Sequence, residues 1–281
     1  RAGSAHRAGR RLPLGRRAVN AIWTSLVATA ASLLLVAVAI AISWRQQLGL
    51  ERSIAWAATR ATFQLAVVGL GLGLVLADDA PLAWSWLWVA AMVLVGGITV
   101  SRRVSNVPGL LGLTCVALGI AVSTSLLVVF GFGIFPLEPR TVVPTAGMIL
   151  GNAIGSTVLA ARRSLRELDV HRDQIEARLS LGKSGADAVR PHLREALRTA
   201  VTPQIEQTKI VGLIALPGTM TGLLLAGVAP REAVAVQLAV MFLILGSVAI
   251  TTVIVGPGVG RRMISADQRL VLPTEAPTLP G

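Results

Sequence analysis

The side chains that could do chemistry in the apolar stretches of this chain are few and uncharged. Its apolar stretches contain no Asp, Glu or His, so they offer neither a general acid or base nor carboxylates for a hard cation. They do contain amide, hydroxyl and thioether groups, which form hydrogen bonds or bind soft metals weakly. We therefore expect no catalytic centre and no metal site. If a molecule passes through these stretches, the candidate residues of its path are Gln64, Met148, Asn152, Ser156, Pro217, Thr219 and Met220.

Three of these residues recur at one helical turn, and so form a stripe on a predicted helix: Met148, Asn152 and Ser156. A second stripe beside it consists of glycines that recur every four residues. These are Gly147, Gly151 and Gly155. Glycines allow close helix contact, and plain packing is one interpretation of them. A polar side chain in lipid needs a partner or a cavity, so Asn152 either bonds another helix or lines the path. Gln64 likewise either forms a hydrogen bond across to Asn152 or faces the path.

The sequence LPGTMTG interrupts a later apolar stretch, at residues 216–222. Pro217 removes a backbone hydrogen bond, and the glycine after it loosens the backbone further, so we expect a kinked or broken helix with free carbonyl groups near the membrane midplane. Broken helices in transporters often mark the substrate site, which Thr219, Met220 and Thr221 would line. A static kink without a ligand is the alternative.

The composition is that of a membrane protein. Of 281 residues, 53% are hydrophobic and only 14% are charged, whereas soluble domains carry roughly a quarter of charged residues. The net charge of +12 comes from arginines that lie between apolar runs, which is typical of anchoring to an anionic lipid bilayer and argues against nucleic-acid binding. The single cysteine, Cys115, excludes a disulfide within one chain.

The apolar stretches predict an all-α, polytopic membrane protein with seven transmembrane helices. The stretches are 21–43, 61–77, 81–100, 107–130, 141–161, 210–228 and 233–255. We expect residues 1–20 to be a disordered basic arm, residues 21–256 to be the membrane domain and residues 257–281 to be a cytoplasmic tail. The first stretch resembles a signal peptide, but its length favours a retained helix. Residues 44–60 predict a short helix in the membrane interface.

Residues 162–209 separate the fifth and sixth stretches and are charged and helix-favouring, which predicts a cytoplasmic helical hairpin standing out of the membrane. If the connections alternate between sides, most of the basic residues fall on the side of the hairpin, which is therefore cytoplasmic together with the carboxyl terminus. The basic arm then lies outside, as an exception to this rule, unless one of the seven stretches is miscounted.

The heptapeptide EARLSLG lies within this hairpin, from Glu176 and Ala177 to Leu181 and Gly182. It resembles the coupling helix of permease subunits in ATP-binding-cassette transporters, which fits a cleft on the ATPase and often has Glu-Ala followed by Gly six positions after the Glu. Glycine tolerates positive φ, so a helix can end there and present its polar end to a partner. An ordinary charged helix that ends at a glycine is the alternative.

Two longer strings strengthen the resemblance: GMILGNA at 147–153 and KIVGLIALPGTMTGLLLAG at 209–227. They resemble the FetB-type iron-export permease family, which also includes plant permeases linked to aluminium tolerance. This resemblance implies a multi-pass permease of the bacterial inner membrane that works as a homodimer. It also implies a separate ATPase subunit that binds ATP and Mg²⁺, while this chain is a transport subunit and not an enzyme. The substrate would belong to iron or metal homeostasis.

Two other classes of protein stay open on the sequence. One is a membrane scaffold or signalling protein whose hairpin binds another soluble partner. The other is a secondary transporter of a small organic substrate driven by an ion gradient, although the lack of acids in the apolar stretches argues against proton coupling. Recovery of an ATPase subunit with the purified chain would separate the permease from both.

Overall fold

The computed structural model describes residues 14–75, 81–104, 107–212 and 216–272, and the regular structure within them is helical. This confirms the all-α class. The helices in this part of the chain are α1 (Leu14–Arg45), α2 (Glu51–Val75), α3 (Leu82–Arg103), α4 (Leu110–Gly131), α5 (Pro139–Val170), α6 (Arg172–Ser180), α7 (Gly185–Ile210), α8 (Gly218–Leu225) and α9 (Pro230–Arg262).

Four of these helices, α3, α4, α5 and α9, are long and apolar enough to cross a membrane. Their length and composition are those of the helices of a polytopic membrane protein. The 32 residues of α5 and the 33 of α9 extend about 48 and 50 Å, which exceeds the roughly 30 Å of a hydrocarbon core. Both helices must therefore project beyond it.

Contacts divide the chain into two compact units, and the first contains α1 and α2 up to Gly73. The turn between these helices is held by Ser43, whose hydroxyl donates to Glu51 Oε1 at 2.8 Å and accepts from the Leu50 amide. The expected interfacial helix over 44–60 is wrong, because α2 runs without interruption from Glu51 to Val75. It contains no proline, and its glycines come only near its end.

The amino-terminal arm is also shorter than expected. Helix α1 begins at Leu14, so the last residues of the arm are helical, which is consistent with the high helix propensity of Leu, Arg and Ala. Residues 1–13, on which the rest of that prediction falls, lie outside the described residues.

The second unit is built on α5 and α9, which pack against each other along their length. Helices α3 and α4 pack on α5 around Leu118, Val122 and Ile149. Glycines permit this closeness, since a Cβ added at Gly97 would collide with the thiol of Cys115. A second cluster joins α4 and α5 to the hairpin.

The hairpin consists of the end of α5, then α6 and α7, and it does not stand free as expected. Helix α7 packs against α5 and α9 and buries Ala188, Val189 and Leu193 there. Only the connection around α6 projects from this packing. Arg162 fixes the start of the hairpin, because its Nη2 donates to the Arg103 carbonyl at the end of α3 over 2.7 Å.

The expected sixth transmembrane stretch is broken, as LPGTMTG predicts. Helix α7 ends at Ile210, and α8 begins at Gly218 with Pro217 as its N-cap residue. Pro217 therefore precedes a helix and does not lie inside one, a position where the absence of its N–H costs little. The eight residues of α8 extend only about 12 Å, and residues 213–215 lie outside the described residues.

The carboxyl-terminal boundary at 257 also differs from expectation. Helix α9 continues through Pro257 to Arg262, because Val255 and Val259 on either side are fully buried and tertiary packing overrides the local preference. The chain then turns back through a bridge between Ile264 and Leu270. Residues 273–281 lie outside the described residues.

This turn supports the hairpin, since Gln268 Oε1 accepts a 2.9 Å hydrogen bond from the Gly185 amide at the start of α7. We expect Gln268→Ala to lower the free energy of unfolding by about 1 kcal/mol, because the amide then loses its partner. The exposed Gln207→Ala is the matched control and should change little. Thermal unfolding of the purified protein measures the difference, and equal midpoints for the two variants would contradict this role.

Candidate functional site

The tip of the hairpin, which we define as residues 172–183, is the first part of the candidate site. Its apex is the apolar side chain of Leu181, which is 80% exposed. The chain reverses at Gly182 with φ of +82°, a conformation that favours glycine. Glu176 and Ala177 are exposed on α6, and Glu176 Oε1 accepts from Arg172 Nε at 3.0 Å. The residues of EARLSLG thus lie together on an accessible surface.

The tip is anchored from beneath by Ile175, which is fully buried in the cluster that contains Leu168 of α5 and Val189 of α7. The apex is therefore an exposed apolar residue on a firmly packed base.

Two histidines meet between the arms of the hairpin. The rings of His171, at the end of α5, and His192, on α7, are stacked with centroids 4.4 Å apart. His192 Nε2 is buried without a hydrogen-bond partner within the described part of the chain. Burial lowers the pKa of His192, and the nearby His171 and Arg178 lower it further, whereas Glu167 opposes them.

This environment predicts an acid-sensitive hairpin. A histidine with a pKa below its unfolded value stabilises the fold above the unfolded pKa, and that contribution is lost as the pH falls toward the folded pKa. We expect the unfolding midpoint to fall between about pH 7 and about pH 5, and His192→Phe to flatten the profile. Thermal unfolding at a series of pH values tests this, and an unchanged pH dependence in the variant would be the contrary result.

The second part of the candidate site is the predicted transport path, of which the structure brings two members together. Thr219 Oγ1 of α8 donates to Met148 Sδ of α5 over 3.5 Å. Met148 also packs against a cluster on α9 formed by Val240, Ile244 and Val248. Helices α5, α8 and α9 therefore meet at Met148. Pro217 and Met220, on either side of Thr219, are half-buried.

Asn152 and Ser156 lie on the same stripe of α5 and are half-buried. Asn152 Nδ2 donates to the Met148 carbonyl of its own helix at 2.8 Å. Two glycines of the adjacent stripe, Gly151 and Gly155, face open space, because a Cβ added at either one would meet no atom within 4 Å. These two glycines therefore do not serve helix packing within the part of the chain that the structure describes.

Gln64 belongs to the other compact unit, where its side chain is exposed on α2. Its role on the path stays a prediction.

The structure identifies a polar residue that the sequence reading omitted. Gln237 of α9 is 4% exposed, and its Oε1 has no hydrogen-bond donor within the described residues. It shares the buried face of α9 with Ile244, Val248 and Val255. The sequence contains a signal for this position. Gln237, Ile244, Val248 and Val255 are separated by seven, four and seven residues, which places all four side chains on one face of a helix.

The donor chemistry of the site is mixed and mostly neutral. Within residues 14–75, 81–104, 107–212 and 216–272, no three His, Cys, Asp or Glu side chains form a group that could hold a metal ion. The thioether, hydroxyl and amide groups of Met148, Thr219 and Asn152 are weak ligands for a hard cation.

Comparison with known proteins gives the same assignment as the sequence strings. The model of the uncharacterised protein family UPF0014 matches residues 26–264. The UPF0014 membrane protein STAR2 of Oryza sativa subsp. japonica is 34% identical over 78% of this chain and 76% of its own length. Protein ALUMINUM SENSITIVE 3 of Arabidopsis thaliana is 32% identical over 81% of this chain and 83% of its own.

A bacterial relative is similar at the same level. The probable iron export permease protein FetB of Escherichia coli (strain K12) is 32% identical over 86% of this chain and 93% of its own length. No solved structure matches the chain. The resemblance to FetB-type permeases is thereby confirmed, and the chain belongs to the UPF0014 family of membrane proteins.

Proposed function

We propose that this chain is the permease subunit of an ATP-binding-cassette exporter for iron or a related metal. ATP and Mg²⁺ bind to a separate ATPase subunit, and this chain provides the membrane path. The relative named a probable iron export permease supports the substrate class. The single observation that carries the mechanism is the continuity of α5, which runs unbroken from Met148 to the base of the exposed tip at Val170.

The proposed topology has seven crossings in the bacterial inner membrane, with the hairpin tip and the carboxyl terminus in the cytoplasm. Six crossings are helices α1 to α5 and α9. The sixth in chain order is discontinuous, since the chain is not helical between Ile210 and Gly218 where the structure describes it. Discontinuous helices are a feature of transporter substrate sites.

The functional unit is a homodimer in which a second copy faces the open stripe of α5. Gly151 and Gly155 leave space beside the helix, and Asn152 and Ser156 lie next to that space. Small residues allow helices of two copies to approach closely, and polar side chains beside them face a shared path.

In the proposed mechanism, the continuous helix α5 carries movement of the tip to the transport path. Binding of the ATPase at Leu181 and Gly182 displaces the tip, and α5 transmits this movement to Met148 and its contact with Thr219. A ligand shifts such an equilibrium only by its difference in affinity between two states, so the ATPase must grip the tip differently with and without ATP.

Substrate-stimulated ATP hydrolysis tests this function. The chain and its co-purifying ATPase are reconstituted in lipid and supplied with ferrous iron under anaerobic conditions, or with sugars, lipids or organic drugs. We expect stimulation by ferrous iron and no effect of the others. Stimulation by an organic compound alone would overturn the substrate class, and the absence of any ATPase in the purified complex would favour a scaffold.

A further inference from the structure

The returning arm of the hairpin, α7, packs against the apolar helix α9. Helix α7 is antiparallel to α9, and its register is given by close contacts: a Cβ at Gly260 would lie 2.6 Å from Leu193 Cδ1, and one at Gly256 would collide with Leu197. Val201 then packs against the cluster around Ile244. The apolar part of α9, residues 233–255, contains no charged residue and ends just before Gly256. Because α7 is antiparallel to α9, the residues of α7 that follow Leu197 run alongside this apolar part.

Residues of α7 after Leu197 therefore lie beside the apolar part of α9. At 1.5 Å per residue, Glu206 lies about 14 Å and Lys209 about 18 Å beyond Leu197, which is close to the middle of a hydrocarbon core of about 30 Å. From the sequence alone, both residues belong to the cytoplasmic hairpin, whereas this register puts them beside an apolar helix.

Both charges are exposed within the part of the chain that the structure describes. Glu206 is 57% and Lys209 62% exposed in their side chains, and Lys209 Nζ lies 2.7 Å from Glu206 Oε1. A charged side chain that faces lipid at this depth is costly, and such residues face the bundle interior or a water-filled cavity even where they pair with one another. The exposed face of the end of α7 therefore requires an aqueous surrounding.

We propose that the last three turns of α7 line a water-filled cavity at mid-membrane depth and that Glu206 binds the cationic substrate there. This inference rests on the proposed transport function and names the carboxylate in its path. The end of a helix adds to the site, because its last carbonyl groups have no partner within the helix and carry the negative end of the helix dipole. In the absence of substrate, Lys209 neutralises Glu206, and an entering cation displaces it.

A binding measurement with the purified chain in lipid nanodiscs tests the carboxylate without the ATPase. The probe is ferrous iron under anaerobic conditions, titrated calorimetrically. We expect Glu206→Gln to weaken binding at least about tenfold, since the anionic ligand is lost. Glu206→Asp should retain most of the affinity, and Lys209→Gln should bind more tightly because the competing cation is gone.

The matched control is Glu195→Gln, since Glu195 also lies exposed on α7, with Arg198 three residues later at 3.9 Å. Glu195 precedes the proposed membrane part of the helix. The Glu195→Gln variant should therefore bind ferrous iron as the unmodified chain does. Equal affinity of the Glu206→Gln variant and the unmodified chain would overturn the proposal, as would the absence of ferrous binding to the unmodified chain. Normal binding without ATP-driven transport would overturn only the proposed function.

Thiol labelling tests the cavity independently. Cys115 is the single cysteine, so Cys115→Ser gives a background in which Glu206→Cys and Phe242→Cys are compared in membranes. Phe242 is an exposed apolar residue of α9 at a similar depth. A charged, membrane-impermeant thiol reagent should modify position 206 and not position 242. Equal protection of both positions would overturn the aqueous cavity.

Discussion

Replacing Leu181 with aspartate should abolish ATP-driven transport while the chain still folds and reaches the membrane. Leu181 contributes little to the packing of its own chain, because it is 80% exposed at the apex of the tip. Burial of a leucine in a partner contributes about 1.5–3 kcal/mol, so its loss weakens ATPase binding roughly 10- to 150-fold. Desolvation of the new carboxylate weakens it further.

The measurement is the amount of ATPase that co-purifies with the variant, together with ATP-dependent efflux from reconstituted vesicles. Val271→Asp is the control, because Val271 is also an exposed apolar residue but lies outside the tip. Wild-type amounts of bound ATPase and wild-type efflux in the Leu181→Asp variant would refute the tip as the docking surface.

Two milder changes at the tip should separate docking from coupling. Gly182→Val forces a β-branched residue to φ of +82°, which distorts the reversal that presents Leu181. Glu176→Gln removes the charge that accepts from Arg172. Both variants should hydrolyse ATP without matching transport.

Gly256→Leu should strongly lower the stability of the protein. A Cβ at Gly256 would collide with Leu197 of α7, and it would lie 3.4 Å from Ser164 Oγ of α5, so a leucine must push two helices away from α9 at once. Overpacking by single methylene groups costs about 1–3 kcal/mol, and a whole leucine side chain exceeds this range. We expect a protein that aggregates or unfolds at a much lower temperature.

Gly246→Leu is the matched control on the same helix. Nothing lies within 4 Å of a Cβ added at Gly246, so this variant should unfold at or above the wild-type temperature, because leucine has the higher helix propensity. Thermal unfolding and size-exclusion profiles in detergent compare the two. Similar unfolding temperatures would mean that the packing of α7 on α9 does not depend on this glycine.

The tip could be predicted from the sequence because its signal is local. A positive φ at Gly182 and an exposed Glu176 follow from residue type and helical spacing within one heptapeptide. The break before α8 is local for the same reason, since Pro217 and Gly218 are adjacent.

The packing of α7 along α9 could not be predicted, because it depends on contacts between residues distant in the chain. The polar residues around Glu206 read as cytoplasmic when hydropathy is averaged along the sequence. Only the contact of Leu197 with Gly256 places them beside an apolar helix. Gln237 was overlooked for a related reason, since a single amide in a strongly apolar stretch changes the average little.

The most direct test of the central claim, that a separate ATPase drives this permease through the tip, is site-specific photocrosslinking in native membranes. A photoreactive residue at position 181 is compared with one at position 225, where Leu225 is exposed at the end of α8. The account predicts an ATP-binding-cassette ATPase crosslinked from position 181 and none from position 225. Failure to crosslink any such ATPase from position 181, in membranes where the chain is folded, would contradict it.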